Sequence, residues 1–134
     1  MSILTLTINA QETKESYDWS RVINAIIKVE SKGNEKAYNP NGNCAGILQI
    51  TPILVKECNQ IFKRKNVNKR YTLNDRYNAE KSKEMFIILQ EHFNLEHNVE
   101  KAIRCWNCGF YGNGWKTKSR KYYTNVMKHY NGGD

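Results

Sequence analysis

Five separate stretches of this chain repeat their apolar residues at steps of three and four. That spacing marks one face of an amphipathic helix and commits most of the chain to α structure. The first stripe holds Trp19, Val22, Ile23, Ile26 and Ile27, with Ser16 or Asp18 available as a cap and Gly33 and Asn34 as the stop. The second follows Thr51 and Pro52, a cap and a first-turn proline, and carries Ile53, Leu54, Val55, Cys58, Ile61 and Phe62. A third begins near Asp75 to Asn78 and runs to Phe93 through Met85, Phe86, Ile88 and Leu89. Asn98 caps a fourth with Val99, Ala102, Ile103 and Trp106, and Ser119 caps a fifth with Tyr122, Tyr123, Val126, Met127 and Tyr130. Residues 32 to 47 break the pattern with the turn chemistry of "NPNG", and a short extended piece is predicted over Ile47 to Ile50. The expected domain is mainly α, with one long loop of the kind that carries function.

At 134 residues the chain suits a single domain. No apolar run reaches the length of a membrane span, so no membrane span and a soluble chain are expected. The 21 Lys and Arg against 13 Asp and Glu leave a formal charge of +8. Such a surface suits nucleic acid, anionic lipid or an anionic wall polymer equally well, or is simply solvated. "ILTLTINAQ" at the start is a short apolar stretch ending at small residues, like an export cleavage site, but it lacks a basic region before it. A remnant of a signal peptide and a plain first strand or disordered leader both fit, and residues 1–15 are set outside the domain, which spans 16–134.

Glu30 is the residue that asks for an explanation. It lies four residues after Ile26, seven after Ile23 and eleven after Trp19, on their face of the helix. A carboxyl continuing an apolar stripe loses water, and desolvation raises its pKa toward the range of a general acid. Carboxylates at helix ends are also common and often reach solvent, so the stripe alone leaves both readings open.

The surroundings of Glu30 carry more. "ESKGNEKAYNPNGNCAGILQITP" resembles the opening motif of the lytic transglycosylase and goose-type lysozyme superfamily, through Glu30, Ser31, Asn34, Ala37, Gly42, Gly46, Leu48, Gln49 and Pro52. "DRYNAEKSKEMFIILQEHF" is similar to the family's Asp-x-x-Asn stretch at Asp75 and Asn78. "AIRCWNCG" resembles its Ala-x-x-x-Tyr-Asn-x-Gly, with Ala102, Asn107 and Gly109 matching, Trp106 standing where Tyr is usual, and Cys108 where a small residue is usual. "YYTNV" resembles the helix that carries the family's active-site Tyr, at Tyr122. The blocks fall in order from about Trp19 to Tyr130.

The resemblance implies a lysozyme-like helical domain with a saccharide-binding cleft. It implies peptidoglycan glycan strands as the partner and cleavage of the MurNAc–GlcNAc β-1,4 bond with formation of 1,6-anhydro ends. Glu30 would be the single catalytic acid and base, because the substrate's own C6 hydroxyl is the nucleophile. Ser31, Gln49, Trp106, Asn107 and Tyr122 would contact substrate or support Glu30. Independently, most glycosidases need two carboxylates about 5 to 9.5 Å apart. No acid lies between Glu35 and Glu57, although Asp75 could fold into the cleft. Trp106 is also readable as plain core, and Tyr123 competes with Tyr122 for the inward position. Other readings on the same fold are a hydrolase and an inactive glycan-binding module; a basic nucleic-acid binder leaves Glu30, Ser31 and Gln49 unexplained.

Cys44, Cys58, Cys105 and Cys108 suit either one disulfide or a set of buried thiols. "CWNC" closes a helix, whereas a redox pair opens one, and a zinc ribbon needs a second close pair. His92, His97 and His129 have no ligand-like spacing. No metal, no cofactor and no nucleic-acid partner are expected. The basic run "KRKNVNKR" has no aromatic platform within it and reads as a solvated loop. A monomer, exported to the periplasm or cell surface, completes the expectation.

Overall fold

The structure, a computed structural model, describes residues 16–132, so the reading of residues 1–15 as a leader lies outside the described residues. Its helices are α1 (Ser20–Glu30), α2 (Pro52–Arg64), α3 (Ala79–Phe93), α4 (Val99–Cys108) and α5 (Arg120–Tyr130). Between α1 and α2 lies a small antiparallel hairpin, β1 (Tyr38–Asn39) and β2 (Cys44–Ala45), with Tyr38 opposite Ala45 and Asn39 opposite Cys44. Short 3-10 turns at Leu73–Tyr77 and Gly114–Lys116 precede α3 and α5.

The capping residues act through side-chain oxygens that accept orphan first-turn N–H groups. Thr51 accepts from Leu54, Asn78 from Lys81 and Asn98 from Lys101. Asp18 accepts the Ser20 N–H at 2.9 Å at the start of α1. Ser119 differs from expectation. It stands at the cap position in a left-handed conformation, φ +62°, and its hydroxyl donates to Asn107 Oδ1 at 2.7 Å instead of capping α5.

The stripes pack into one core in which Ile26, Leu48, Phe86, Leu89, Ile103 and Val126 lose all contact with water. Each such burial contributes about 1.5–3 kcal/mol relative to exposure. Ile53, read above as part of the second stripe, is 74% exposed. The helical phase of α2 turns Val55, Cys58, Ile61 and Phe62 inward and leaves Ile53 outside.

The segment Ile47–Ile50 is a turn and not the extended piece expected. Ala45 and Ile50 exchange both backbone hydrogen bonds, at 3.1 and 2.9 Å, and residues 46–49 loop out between them. Gly46 permits this. It adopts φ +81°, and a Cβ there would sit 1.7 Å from the Arg76 carbonyl oxygen. Gln49 also takes a left-handed conformation, φ +52°, to close the turn.

Arg76, only 5% exposed, holds the hairpin and turn from behind. Its Nη1 donates to the carbonyls of Asn43 at 2.8 Å and Ile50 at 3.1 Å, and its Nε to Leu73 at 2.9 Å. Arg76→Ala would strand those acceptors, and a lysine has a single point of donation where the guanidinium spans several. Both variants are expected to lower the urea midpoint, Arg76→Ala by the equivalent of about 2–4 kcal/mol at unchanged m value.

Candidate active site

Two contacts set the register of α1 against α5. Near one end of the pair, Arg21 donates to the Tyr130 carbonyl at 2.9 Å and its guanidinium lies 4.0 Å from the Tyr130 ring centre. At the other, the Tyr122 hydroxyl donates to Glu30 Oε2 at 2.8 Å. Nine residues separate the anchors on α1 and eight on α5, about 13 and 12 Å of helix rise, so the helices run antiparallel in matched register. That register selects between the two tyrosines. Tyr122 reaches Glu30, while Tyr123 lies under the Arg104 guanidinium, 5.3 Å from ring centre to Cζ.

Glu30 is half-buried at the last turn of α1. Burial raises its pKa above the ordinary 4.5, and the Tyr122 hydrogen bond, which favours the ionised form, pulls it partly back. Among the described residues no charged group shifts it appreciably. The phenol is driven far above its usual range, by burial first and then by the Glu30 charge, so Tyr122 stays a neutral donor.

Asp75 does not act on this carboxyl. It accepts the Thr72 N–H at 2.8 Å in a capping box and pairs with Lys81 at 3.2 Å, and these hold its pKa below the usual value, the Thr72 backbone bond foremost. Glu35 is exposed on the loop after α1.

Three of the residues singled out in the sequence converge on the turn after β2. The Ser31 hydroxyl donates to the Ile47 carbonyl at 2.8 Å and accepts the Gly33 N–H at 3.1 Å. The Trp106 indole N–H donates to the Leu48 carbonyl at 2.9 Å, and its ring, 7% exposed, packs on Phe86 with centroids 4.8 Å apart. The Gln49 amide donates to the carbonyls of Gly46 at 3.0 Å and Ala37 at 3.3 Å. Ser31 therefore ties the end of α1 to the turn and has no bond to the Glu30 carboxyl. Trp106 props the turn from the core side.

Asn107 is exposed at the end of α4, and its Oδ1 takes the Ser119 hydroxyl at 2.7 Å. Ser119 lies three residues before Tyr122, so Asn107 and Glu30 are anchored to the first turn of α5 within about 5 Å of helix rise. The hairpin also belongs to this region. The half-buried Cys44 thiol on β2 is pushed up by burial and then by the charge of Glu30, with Arg76 opposing. The sequence offers Ser119 only as a helix cap, with no sign of its bond to Asn107, and does not single out Arg76. Neither falls on an apolar period, and both work through loop carbonyls or a side chain that only the fold brings near.

All four cysteines are free thiols, with burial the first cause of pushing Cys58 and Cys105 up to about 12. Among the described residues no group of three or more His, Cys, Asp or Glu could hold a metal ion, and no helix is long and apolar enough to cross a membrane.

The family model for the transglycosylase SLT domain matches residues 7–129. No curated protein and no solved structure gives a match. The match takes in α1 with Glu30, the turn at Gly46–Gln49, Asn107 and Tyr122, nearly the whole length of the chain. With five packed helices among the described residues and that span of match, this chain belongs to the transglycosylase SLT domain family and has its lysozyme-like helical fold.

Proposed function

We propose that this chain is a peptidoglycan lytic transglycosylase, cleaving the MurNAc–GlcNAc β-1,4 bond and leaving 1,6-anhydro-MurNAc ends. The carrying observation is Glu30 itself: a carboxyl whose pKa burial raises, held by one neutral phenol, with no second carboxylate acting on it among the described residues. A hydrolase of the two-carboxylate type needs a partner acid to activate water or attack the sugar. A single acid suffices when the substrate supplies the nucleophile.

In the first step protonated Glu30 gives its proton to the glycosidic oxygen as the C1–O bond breaks. The resulting carboxylate then takes the proton of the MurNAc C6 hydroxyl as that oxygen bonds to C1. The carboxyl is restored, the anhydro ring is closed and no water is consumed. Tyr122 fits both stages, since its hydrogen bond strengthens as Glu30 ionises. Asn107 offers its amide nitrogen to sugar acetamide or hydroxyl groups. Ser31, Gln49 and Trp106 act by holding the turn beside the acid. With this substrate the protein works as a monomer outside the cytoplasmic membrane, in the periplasm or at the cell surface.

Mass spectrometry of muropeptides released from purified peptidoglycan tests the reaction. Anhydro-ended products are expected. Reducing ends would make the chain a hydrolase on the same site, and no release from any wall chemotype would overturn the enzymatic reading.

Tyr122→Phe removes the bond that lowers the Glu30 pKa and leaves the burial that raises it. The alkaline limb of kcat/KM against pH reports the loss of protonated Glu30 and should move to higher pH. The maximum should fall about tenfold, the worth of one charge-assisted hydrogen bond. An unmoved limb would remove Glu30 as the titrating acid.

A further inference from the structure

A groove of about 700 Å³ runs between α2 and the loop that leads to the 3-10 turn at Leu73, and Glu30 does not line it. Its walls carry Lys56, Lys63, Lys69 and Arg70, and no Asp or Glu. Lys69 is already engaged, 3.5 Å from Glu84 and above the Phe62 and Tyr71 rings. Among the described residues Lys56, Lys63 and Arg70 form no ion pair, and all three are exposed. Apolar side chains line the groove as well. Half-buried Pro52 contributes from α2, where Val55 is almost wholly buried, while Val67 and Leu73, 44% and 48% exposed, contribute from the loop. Gln60 and Asn68 line the groove with side-chain amides that have no hydrogen bond among the described residues.

We propose that this groove binds an extended acidic segment of a partner protein, with carboxylates set between aliphatic side chains. The charge complement selects an anion. Apolar surface and spare amides select among anions, because aliphatic side chains and backbone amides are what a peptide brings and a phosphate polymer lacks. The cations are also spaced. Lys56 and Lys63 stand two turns apart on α2, about 10.5 Å along its axis. A chain in the polyproline II conformation repeats one face every three residues, about 9.3 Å. Carboxylates at every third position would meet the two lysines in turn, with Arg70 facing them from the loop wall. Binding here is separate from the chemistry at Glu30 and does not depend on it.

Fluorescence anisotropy with the full chain and a labelled peptide repeating Glu-Pro-Val tests the idea. Controls are a peptide of the same composition with its glutamates contiguous, a neutral Gln-Pro-Val repeat, and a single-stranded oligonucleotide of equal charge. The spaced acidic peptide should bind tightest. Lys56→Glu with Arg70→Glu, both at exposed positions, should weaken it about tenfold or more, and Glu30→Gln should leave it unchanged. Equal binding of the contiguous or neutral peptide would overturn the proposal. So would tighter binding of the oligonucleotide, or a double variant that binds like wild type.

Discussion

Glu30→Gln should abolish muropeptide release, by about 10³-fold or more, since one group serves as both acid and base and general acid–base catalysis alone accounts for 10²–10⁴. The fold should survive, because the amide keeps the shape of the side chain and can still accept the Tyr122 hydroxyl. Stability should change in a pH-dependent way that identifies the cause. The folded pKa of Glu30 is raised above its unfolded value of 4.5. The neutral form is thus the favoured guest, and the native state loses stability as pH rises from 4.5 through the folded pKa. Glutamine carries no charge at any pH. The variant should therefore equal or exceed wild type in thermal stability at pH 7, and the gap should close below pH 4.5. Thermal melts across that range beside the activity assay would check both halves. A variant that melts lower at pH 7 would contradict the desolvated acid, and one that keeps its activity would remove Glu30 from the mechanism.

Gly46→Ala should be the most damaging alanine substitution among the described glycines. Two costs coincide there: a backbone at φ +81°, which L side chains rarely adopt, and a Cβ 1.7 Å from the Arg76 carbonyl oxygen and 2.8 Å from its carbon. The obstructing atoms are backbone, braced by the Ser82 hydroxyl, which donates to the same carbonyl at 2.9 Å. They cannot swing away as a side chain end would. The expected loss exceeds about 4 kcal/mol, enough to lower Tm by roughly 15 °C or to prevent folding. Gly33→Ala is the matched comparison, since Gly33 has φ +85° but nothing within 4 Å of its would-be Cβ. It should cost only the dihedral term, about 1–2 kcal/mol. Equal melting temperatures for the two variants would show that the close approach to Arg76 carries no weight.

Much of the fold is legible without the structure because helical periodicity is a local property. Trp19, Val22, Ile23 and Ile26 mark their face of α1 whatever packs upon them. Thr51, Asn78 and Asn98 announce helix starts through bonds spanning three residues. Ile53 shows the limit of that reasoning, since an apolar residue one step off the stripe looks the same in sequence and points to water in the fold. The Ile47–Ile50 turn was misread for a related reason. Its apolar residues suggest a strand, but Gly46 and Gln49 bend the backbone there, and their conformation is stabilised by partners as distant as Arg76, Ser31 and Trp106.

Local chemistry in the sequence was enough to place the five helices of the described residues, the carboxyl at the end of the first apolar stripe, and the order of motifs that tie the chain to its family. Packing of α1 on α5 was needed to select Tyr122 over Tyr123 as the partner of Glu30. The tertiary structure also decided that Asp75 serves a cap, that Ser31, Trp106 and Gln49 bind carbonyls of the Gly46–Gln49 turn, and that Arg76 secures that turn from behind. The physical reason is range. Caps and stripes are settled within one or two helical turns of chain, whereas the Glu30–Tyr122 pair spans ninety-two residues and depends on the register that packing imposes on α1 and α5.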